Sequence, residues 1–386
     1  MVNKTLVMIP GPTPTIDRIH QQMGRATYAH GDPRFVTDYK NTIDRLGALL
    51  DCSGQTFVIS GSGSLAMEMA IANNLKRGDN LLVVSHGMFG DRFIDIAERK
   101  GIHTDVLKAP WGSTVPTDQI NEQLHSKKYD AVTVSHVDTS TAVLAPIAEI
   151  GNMIYREHKD TLYIVDGVAA TAGARSYVDK MHIDVLLTAS QKALGVSPGL
   201  AIVFAGKKSL ERRKTLGRIP EYYVDYDKWS PIMQDPAKYY ATPPINLIWA
   251  LQEALDVIEE EGIENRYDRH EKQGAAMREA LKTLGFTVTA EEGVQAPTLT
   301  NCFYMDGLDD KSFRAAAFEE GVMLAGALGE YAGKAFRIGH MGNADMHDLT
   351  AALAGLERAL AKNNVEVEFG KSVGAFLSAM SLNGNR

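Results

Sequence analysis

The sequence predicts an α/β protein, with a mostly parallel sheet of about seven strands in a large domain and a small α+β C-terminal domain. Three observations carry this. Short apolar runs recur up to Ala205, each stopped by a polar residue or a glycine, as expected of strands buried on both faces. Helix-period stretches at 89–100, 117–126 and 146–158 lie between several of them. Beyond about residue 260 the pattern changes to shorter strands and amphipathic helices, and 386 residues is long enough for two cores.

Composition narrows the classes. Hydrophobic content of 45% and charged content of 23% are those of an ordinary soluble globular protein. A net charge of −8 argues against nucleic acid as the main partner. No run of ~18 apolar residues predicts a membrane span. Met1-Val2-Asn3-Lys4-Thr5 leads into a short apolar run without a secretory core. Cys52 and Cys302 are too few and too far apart for a disulfide framework. The expectation is a cytoplasmic protein with a frayed end at 381–386.

In chain order, the apolar run 6–9 meets Pro10-Gly11-Pro12-Thr13-Pro14, which cannot continue a regular element. Residues 1–15 therefore read as a separate N-terminal segment. Helix-period positions Val36, Tyr39, Ile43, Leu46 and Leu50 mark a helix over 36–51. A strand at 56–59 then breaks into Ser60-Gly61-Ser62-Gly63-Ser64 before a helix-forming run. Strand, Gly/Ser loop and helix N-terminus together form a phosphate cradle, because bare amides and the positive helix end stabilise an anion. It is neither a Walker loop nor a dinucleotide fingerprint, since the required Lys and third Gly are missing.

The next strand, 80–86, leads through Gly87-Met88 to Phe89, and strand 129–136 leads from His136 into Val137-Asp138-Thr139-Ser140-Thr141-Ala142. His136 reads as a satisfied strand-end histidine rather than a catalytic base. Strand 162–166 ends on Asp166, and strand 184–188 leads through Ser190-Gln191 to Lys192. One more strand covers 200–204, and a charged stretch runs from Lys207 to Lys214. The loop Lys238-Tyr239-Tyr240-Ala241-Thr242 carries a phenol and a hydroxyl three apart. Helices at 246–261 and 264–284 meet at Glu259-Glu260-Glu261-Gly262, which places the large domain at 16–260 and the small one at 261–386. In the latter, strands are expected at 285–290, 298–305, 321–325 and 335–339, with helices at 310–320 and 346–362.

The chemistry concentrates on two strand ends. A lysine at the mouth of a buried strand is poorly solvated, which lowers its pKa and makes it a candidate Schiff-base nucleophile; a plain surface lysine is the alternative. Asp166 could be a metal ligand, a helix cap or the partner of a pyridinium nitrogen. No His/Cys/Glu set at metal spacing accompanies it, so no metal is expected. A Schiff-base lysine with an acid for a ring nitrogen is what pyridoxal 5'-phosphate (PLP) requires. Arg337, inside the apolar strand Ala335-Phe336-Arg337-Ile338-Gly339, is costly unless paired, either with a ligand carboxylate or within an internal ion pair.

Val165-Asp166-Gly167-Val168, followed by Ser190-Gln191-Lys192-Ala193 with its lysine twenty-six residues past the aspartate, resembles the class V PLP-dependent aminotransferases. The alanine–glyoxylate / serine–pyruvate branch is the nearest in pattern. The likeness runs from Pro10-Gly11-Pro12 to Arg337-Ile338-Gly339-His340-Met341-Gly342. It implies the PLP-dependent transferase fold type I and PLP held covalently on Lys192, with Asp166 on the pyridine nitrogen. It also implies that Ser62, Gly63 and Ser64 hold the phosphate with Gln191, that Phe89 stacks on the ring, and that Ser140 contacts the cofactor. Arg337 would bind the substrate carboxylate and Gly11 would wall the pocket. Tyr239 and Thr242 would reach the partner's cofactor across a homodimer.

The chain departs from the family pattern at Gly31-Asp32, at Asp138 where relatives have Glu, and at Ala142 where they have Gly. Phe89 stands where relatives often carry Trp. The implied activity is ping-pong transamination from a small amino acid, alanine or serine, to glyoxylate or pyruvate. Pyridoxamine–pyruvate and ureidoglycine–glyoxylate aminotransferases share the branch. A cysteine desulfurase-like lyase would need a mobile cysteine, and Cys302 lies inside an apolar strand.

Overall fold

The computed structural model describes residues 5–382, so the readings of Met1–Lys4 and of the last four residues lie outside it. Seven strands form the main sheet in the spatial order Gln55–Ser60, Leu200–Ala205, Val185–Ala189, Leu162–Asp166, Ala131–Ser135, Asn80–Ser85 and His103–Lys108. Leu200–Ala205 runs antiparallel to both neighbours and the remaining pairings are parallel. The parallel strands are buried on both faces, which is why their sequences are continuous apolar runs rather than alternations. Four of them deliver their carboxyl ends to one edge, where open α/β sheets place ligands.

The strand that sequence reasoning missed is the edge one. His103–Lys108 alternates between exposed and half-buried residues, so its polar composition hides it. The charged stretch after residue 206 is also regular: Lys207–Thr215 is a helix whose Arg213 is buried and bonds Asp225 Oδ1 at 2.6 Å. A final helix, Lys371–Leu382, takes in the start of the segment expected to fray. In the Pro33–Leu49 helix, Asp32 is the N-cap and accepts from Arg34 N at 2.9 Å. Asp32 therefore has a local structural task.

A second core lies under a four-stranded antiparallel sheet of Thr287–Val288, Leu299–Phe303, Ala335–Gly339 and Ala325–Gly326. Helices Asp310–Glu319 and Met346–Lys362 cover it. The Ile263–Thr283 helix serves both cores: Arg266 and Tyr267 pack toward the large sheet, while Ala276, Ala280 and Leu281 belong to the second core. The N-terminal segment crosses between them. Leu6 and Val7 pair in parallel with Val322 and Met323, and Thr13 Oγ1 then donates to Lys192 O at 2.8 Å.

One charged cluster ties this junction. Arg266 is only 1% exposed and donates to Ala193 O at 2.8 Å and Asn343 Oδ1 at 3.0 Å. Arg269 reaches Gly342 O at 2.8 Å, and both guanidinium groups bond Glu261. Burial alone would raise the Glu261 pKa, but the two arginines outweigh it and hold it below its ordinary value. A depressed carboxylate stabilises the fold above its unfolded pKa of about 4.3, and that stability is lost as pH falls through the lower folded value. Glu261→Gln should destabilise the protein by on the order of 3 kcal/mol, because it leaves Arg266 buried without its counter-charge. In thermal melts the variant should also show a flatter acid limb than the parent; equal midpoints and equal limbs would refute the role.

Candidate active site

A cavity of about 170 Å³ opens at the carboxyl edge of the main sheet. Its walls come from five places. Ser62, Gly63 and Ser64 form the start of the Gly63–Asn74 helix; Phe89 and Arg92 come from the Met88–Lys100 helix. Val137 and Thr139 follow Ala131–Ser135, Asp166 ends its strand, and Gln191 and Lys192 follow Val185–Ala189.

Lys192 sits where a strand turns, half-buried, with its ammonium donating to Pro10 O. Loss of water lowers its pKa to about 8, the positive charge of Arg337 lowers it too, and Asp166 works in the opposite sense. Gly11 lies against it with φ +114°, a conformation that strains other residues, and a Cβ there would stand 2.5 Å from Lys192 Cδ and Nζ and displace the amine. Asp166 is 4% exposed; its Oδ1 accepts from Val168 N at 2.9 Å. Burial, with nearby Asp138 adding to it, raises its pKa to about 6.

Arg337 projects from the small-domain strand Ala335–Gly339. Its Nε donates to Gly326 O at 2.8 Å, and among the described residues no carboxylate forms a salt bridge with it. Burial lowers its pKa to about 10. The internal ion pair considered from sequence is therefore absent among the described residues.

At the other end, the Gly63–Asn74 helix begins at Ser62 with no side-chain cap, which leaves its first amides free. Arg92 Nη1 donates to Ser64 Oγ at 2.9 Å, and its guanidinium lies 4.9 Å from the Phe89 ring centroid. Sequence reasoning overlooked Arg92, although Phe89 and Arg92 are three apart on one helix and so share a face. Gln191 Oε1 is buried with no hydrogen-bond partner among the described residues.

Ser140, expected at the cofactor, does not line the cavity; Thr139 does. The reason is Asp138. Its Oδ1 accepts from Ser140 N at 2.9 Å and Ser140 Oγ at 2.6 Å, and its Oδ2 accepts from Phe89 N at 2.9 Å and Gly90 N at 3.2 Å. Ser140 Oγ in turn accepts from Met88 N at 3.0 Å. Both side chains cap the Met88–Lys100 helix, whose own N-cap, Gly87, has none to offer. Tyr239 and Thr242 are exposed and outside the cavity, 3.4 Å apart through their hydroxyls. His136 faces Ser176 Oγ at 3.2 Å, and burial drives its pKa down to about 3, so it stays neutral. Cys302 is fully buried in its strand, where burial pushes its thiol pKa far up.

The family model described as Aminotransferase class-V matches residues 20–340. The chain belongs to the class V aminotransferases. An uncharacterized aminotransferase of Methanocaldococcus jannaschii is 37% identical over 95% of each chain. Alanine–glyoxylate aminotransferase 1 of Saccharomyces cerevisiae is 32% identical over 87% of this chain and 91% of its own. The crystal structure of pyridoxamine–pyruvate aminotransferase from Mesorhizobium loti superposes with a TM-score of 0.93 at 26% identity, covering 99% and 98% of the two chains. This chain is thus an aminotransferase, and its family implies PLP as cofactor. No described helix is long and apolar enough to cross a membrane.

The electrostatics of the aminotransferase site yield a measurable expectation. In cofactor-free protein, the Lys192 amine should titrate near pH 8, read as the pH dependence of its acylation by mass spectrometry. Arg337→Met removes a positive neighbour and should move that midpoint upward. A midpoint unchanged by the substitution would show that Arg337 does not act on Lys192.

Proposed function

We propose that this aminotransferase moves an amino group from a small donor, alanine or serine in class, to glyoxylate or pyruvate, through PLP attached to Lys192. The observation that carries the reading is a water-poor lysine and a buried aspartate on one cavity, with Arg337, outside the cavity lining but close enough for its charge to act on Lys192, lacking a carboxylate partner among the described residues. The donor set fits PLP. Free helix amides at Ser62–Ser64 with Arg92 suit the phosphate, Gln191 Oε1 offers a buried acceptor without a partner, and Phe89 offers a ring face. Thr139, rather than Ser140, would supply the hydroxyl at the cavity wall.

When bound there, PLP supplies an electron-withdrawing ring that accepts negative charge from the substrate Cα. Asp166 holds a proton on the ring nitrogen through its carboxylate. Arg337 keeps both Nη groups available, a planar fork matched to the substrate carboxylate. Lys192, free base in part at neutral pH, takes and returns the proton at the substrate Cα. Donor and acceptor use the same carboxylate contact in turn, as ping-pong exchange requires. A vitamer without phosphate would not use the Ser62–Ser64 and Arg92 donors, which favours amino acid substrates over pyridoxamine.

Lys192→Ala should lose borohydride-fixable cofactor and turnover. Arg337→Ala should keep the cofactor spectrum but lose on the order of 2–4 kcal/mol of transition-state binding, about 30- to 1,000-fold in kcat/KM with each substrate. A panel of amino donors against glyoxylate, pyruvate and oxaloacetate identifies the pair. Full turnover in Lys192→Ala, or unchanged kcat/KM in Arg337→Ala, would overturn the assignment.

The exposed Tyr239 and Thr242 belong to the same reading as a contribution to a partner subunit's phosphate site. Tyr239→Phe with Thr242→Ala should then weaken PLP binding without lowering the melting temperature of the cofactor-free protein. A fully active monomer in sedimentation would contradict it.

A further inference from the structure

A second polar cluster lies at the opposite edge of the main sheet. The Thr117–Ser126 helix ends just before strand Ala131–Ser135 begins, and the Ile147–Glu157 helix ends just before strand Leu162–Asp166. Both C-termini thus meet at the amino ends of the strands, away from Asp166 and Lys192. His125 occupies the last turn of the first helix, Glu157 ends the second, and His158 is its C-cap. The two imidazole centroids are 4.5 Å apart, and one ligand atom from each of the three residues lies within 4.8 Å of the others.

One residue orients all three. Asn121 O accepts from His125 Nδ1 at 2.9 Å, Asn121 Oδ1 accepts from His158 Nε2 at 2.6 Å, and Asn121 Nδ2 donates to Glu157 Oε2 at 3.0 Å. A carbonyl oxygen can only accept, so both ring protons are assigned: His125 keeps the lone pair on Nε2 and His158 the one on Nδ1. Glu157 keeps Oε1. This is the pattern seen around metal-binding histidines, in which one ring nitrogen is tied to an oxygen and the other is left as ligand. Two helix C-termini add partial negative charge at the same place, which favours a cation.

We propose that His125, Glu157 and His158 form a binding site for a divalent transition-metal cation of the Zn²⁺ class, with solvent as fourth ligand and Asn121 as the positioning residue. Two imidazoles and one carboxylate match the ligand preference of Zn²⁺ rather than the all-oxygen preference of Mg²⁺ or Ca²⁺. Ligand atoms around tetrahedral Zn²⁺ stand roughly 3.4 Å apart, given bonds of about 2.1 Å. Exposed His125 and Glu157 side chains have the freedom to close that remaining distance. Bound metal would join the two helix ends and brace them against the sheet.

The experiment is calorimetric titration of the PLP-loaded, untagged enzyme with ZnCl₂, with MgCl₂ as control and thermal melts in parallel. One saturable Zn²⁺ site, no comparable Mg²⁺ binding and a Zn²⁺-dependent rise in melting temperature are expected. His125→Gln with His158→Gln should abolish that site and the thermal rise, while the cofactor absorbance and kcat/KM measured without metal stay at the parent values and report a folded enzyme. Asn121→Ala keeps all three ligands and should weaken binding about 10- to 100-fold, the usual cost of losing such a partner. Absence of saturable Zn²⁺ binding at micromolar to submillimolar concentration, or the same affinity in the double variant, would overturn the site. Undiminished affinity in Asn121→Ala would overturn the positioning role.

Discussion

Burial of one ammonium group governs much of this structure, and it keeps Lys192 from holding its proton as tightly as a solvated lysine does. Lys192 loses water to the N-terminal segment, which threads across the active-site edge with Pro10 O on the ammonium and Gly11 against its methylenes. Thr13 fixes the segment by bonding Lys192 O at 2.8 Å and by its own amide, which donates to Gln191 O at 3.0 Å. From behind, Arg266 holds the next carbonyl, Ala193 O, and Glu261 neutralises Arg266 in turn. Burying a guanidinium is expensive unless its donors are all used, and here they bind backbone, amide and carboxylate oxygens. The result is a lysine whose backbone is pinned on both sides and whose side chain has one short corridor.

Two buried carboxylates lie near one another, Asp166 on the cavity wall and Asp138 behind it at the start of the Met88–Lys100 helix. Burial raises the Asp138 pKa above its ordinary value, and four hydrogen bonds from amides and a hydroxyl work against that rise. Burial, with the charge of Asp138 adding to it, raises Asp166 to about 6. The same Asp138 bonds fix the first turn of the Met88–Lys100 helix, and with it the aim of Phe89 and Arg92. Asp138 reaches these donors because Gly87 lets the helix start come close: a Cβ at that position would collide with Ser140 and Asp138. Electrostatic tuning and cofactor-face geometry thus depend on one side chain.

The parts legible in the sequence were those whose burial is two-sided. The strands ending on Asp166 and leading to Lys192 are apolar throughout, so periodicity and position announced both the sheet and the residues at its edge. His103–Lys108 escaped because an edge strand faces water, and its register depends on a neighbour rather than on its own pattern. Thr139 and Ser140 illustrate a different limit. They are adjacent hydroxyls in one loop, and only the capping demand of a helix fifty residues earlier decides which one turns to the cavity. The cluster around Asn121 was invisible for the same reason: His125 and His158 are brought together by two helix ends and have no common motif.

Arg337 is where the two cores meet functionally. It belongs to the antiparallel sheet of the second core, opposite Asn301, yet its charge is felt at Lys192 in the first. With Arg337 as the proposed carboxylate contact, recognition and lysine basicity would be coupled through one guanidinium. On the proposed function, a substrate carboxylate at Arg337 would offset the positive charge that disfavours a protonated Lys192, making the amine a better proton acceptor when substrate is present. The coupling requires the two cores to keep their spacing. The N-terminal segment does this by pairing with Val322–Met323 at one end and bonding Gln191 and Lys192 at the other, and by accepting from Gly339 N through Met8 O on the way. A strap of eight residues, Leu6 to Thr13, thereby holds the second core's Arg337 strand in register with the Lys192 turn of the first.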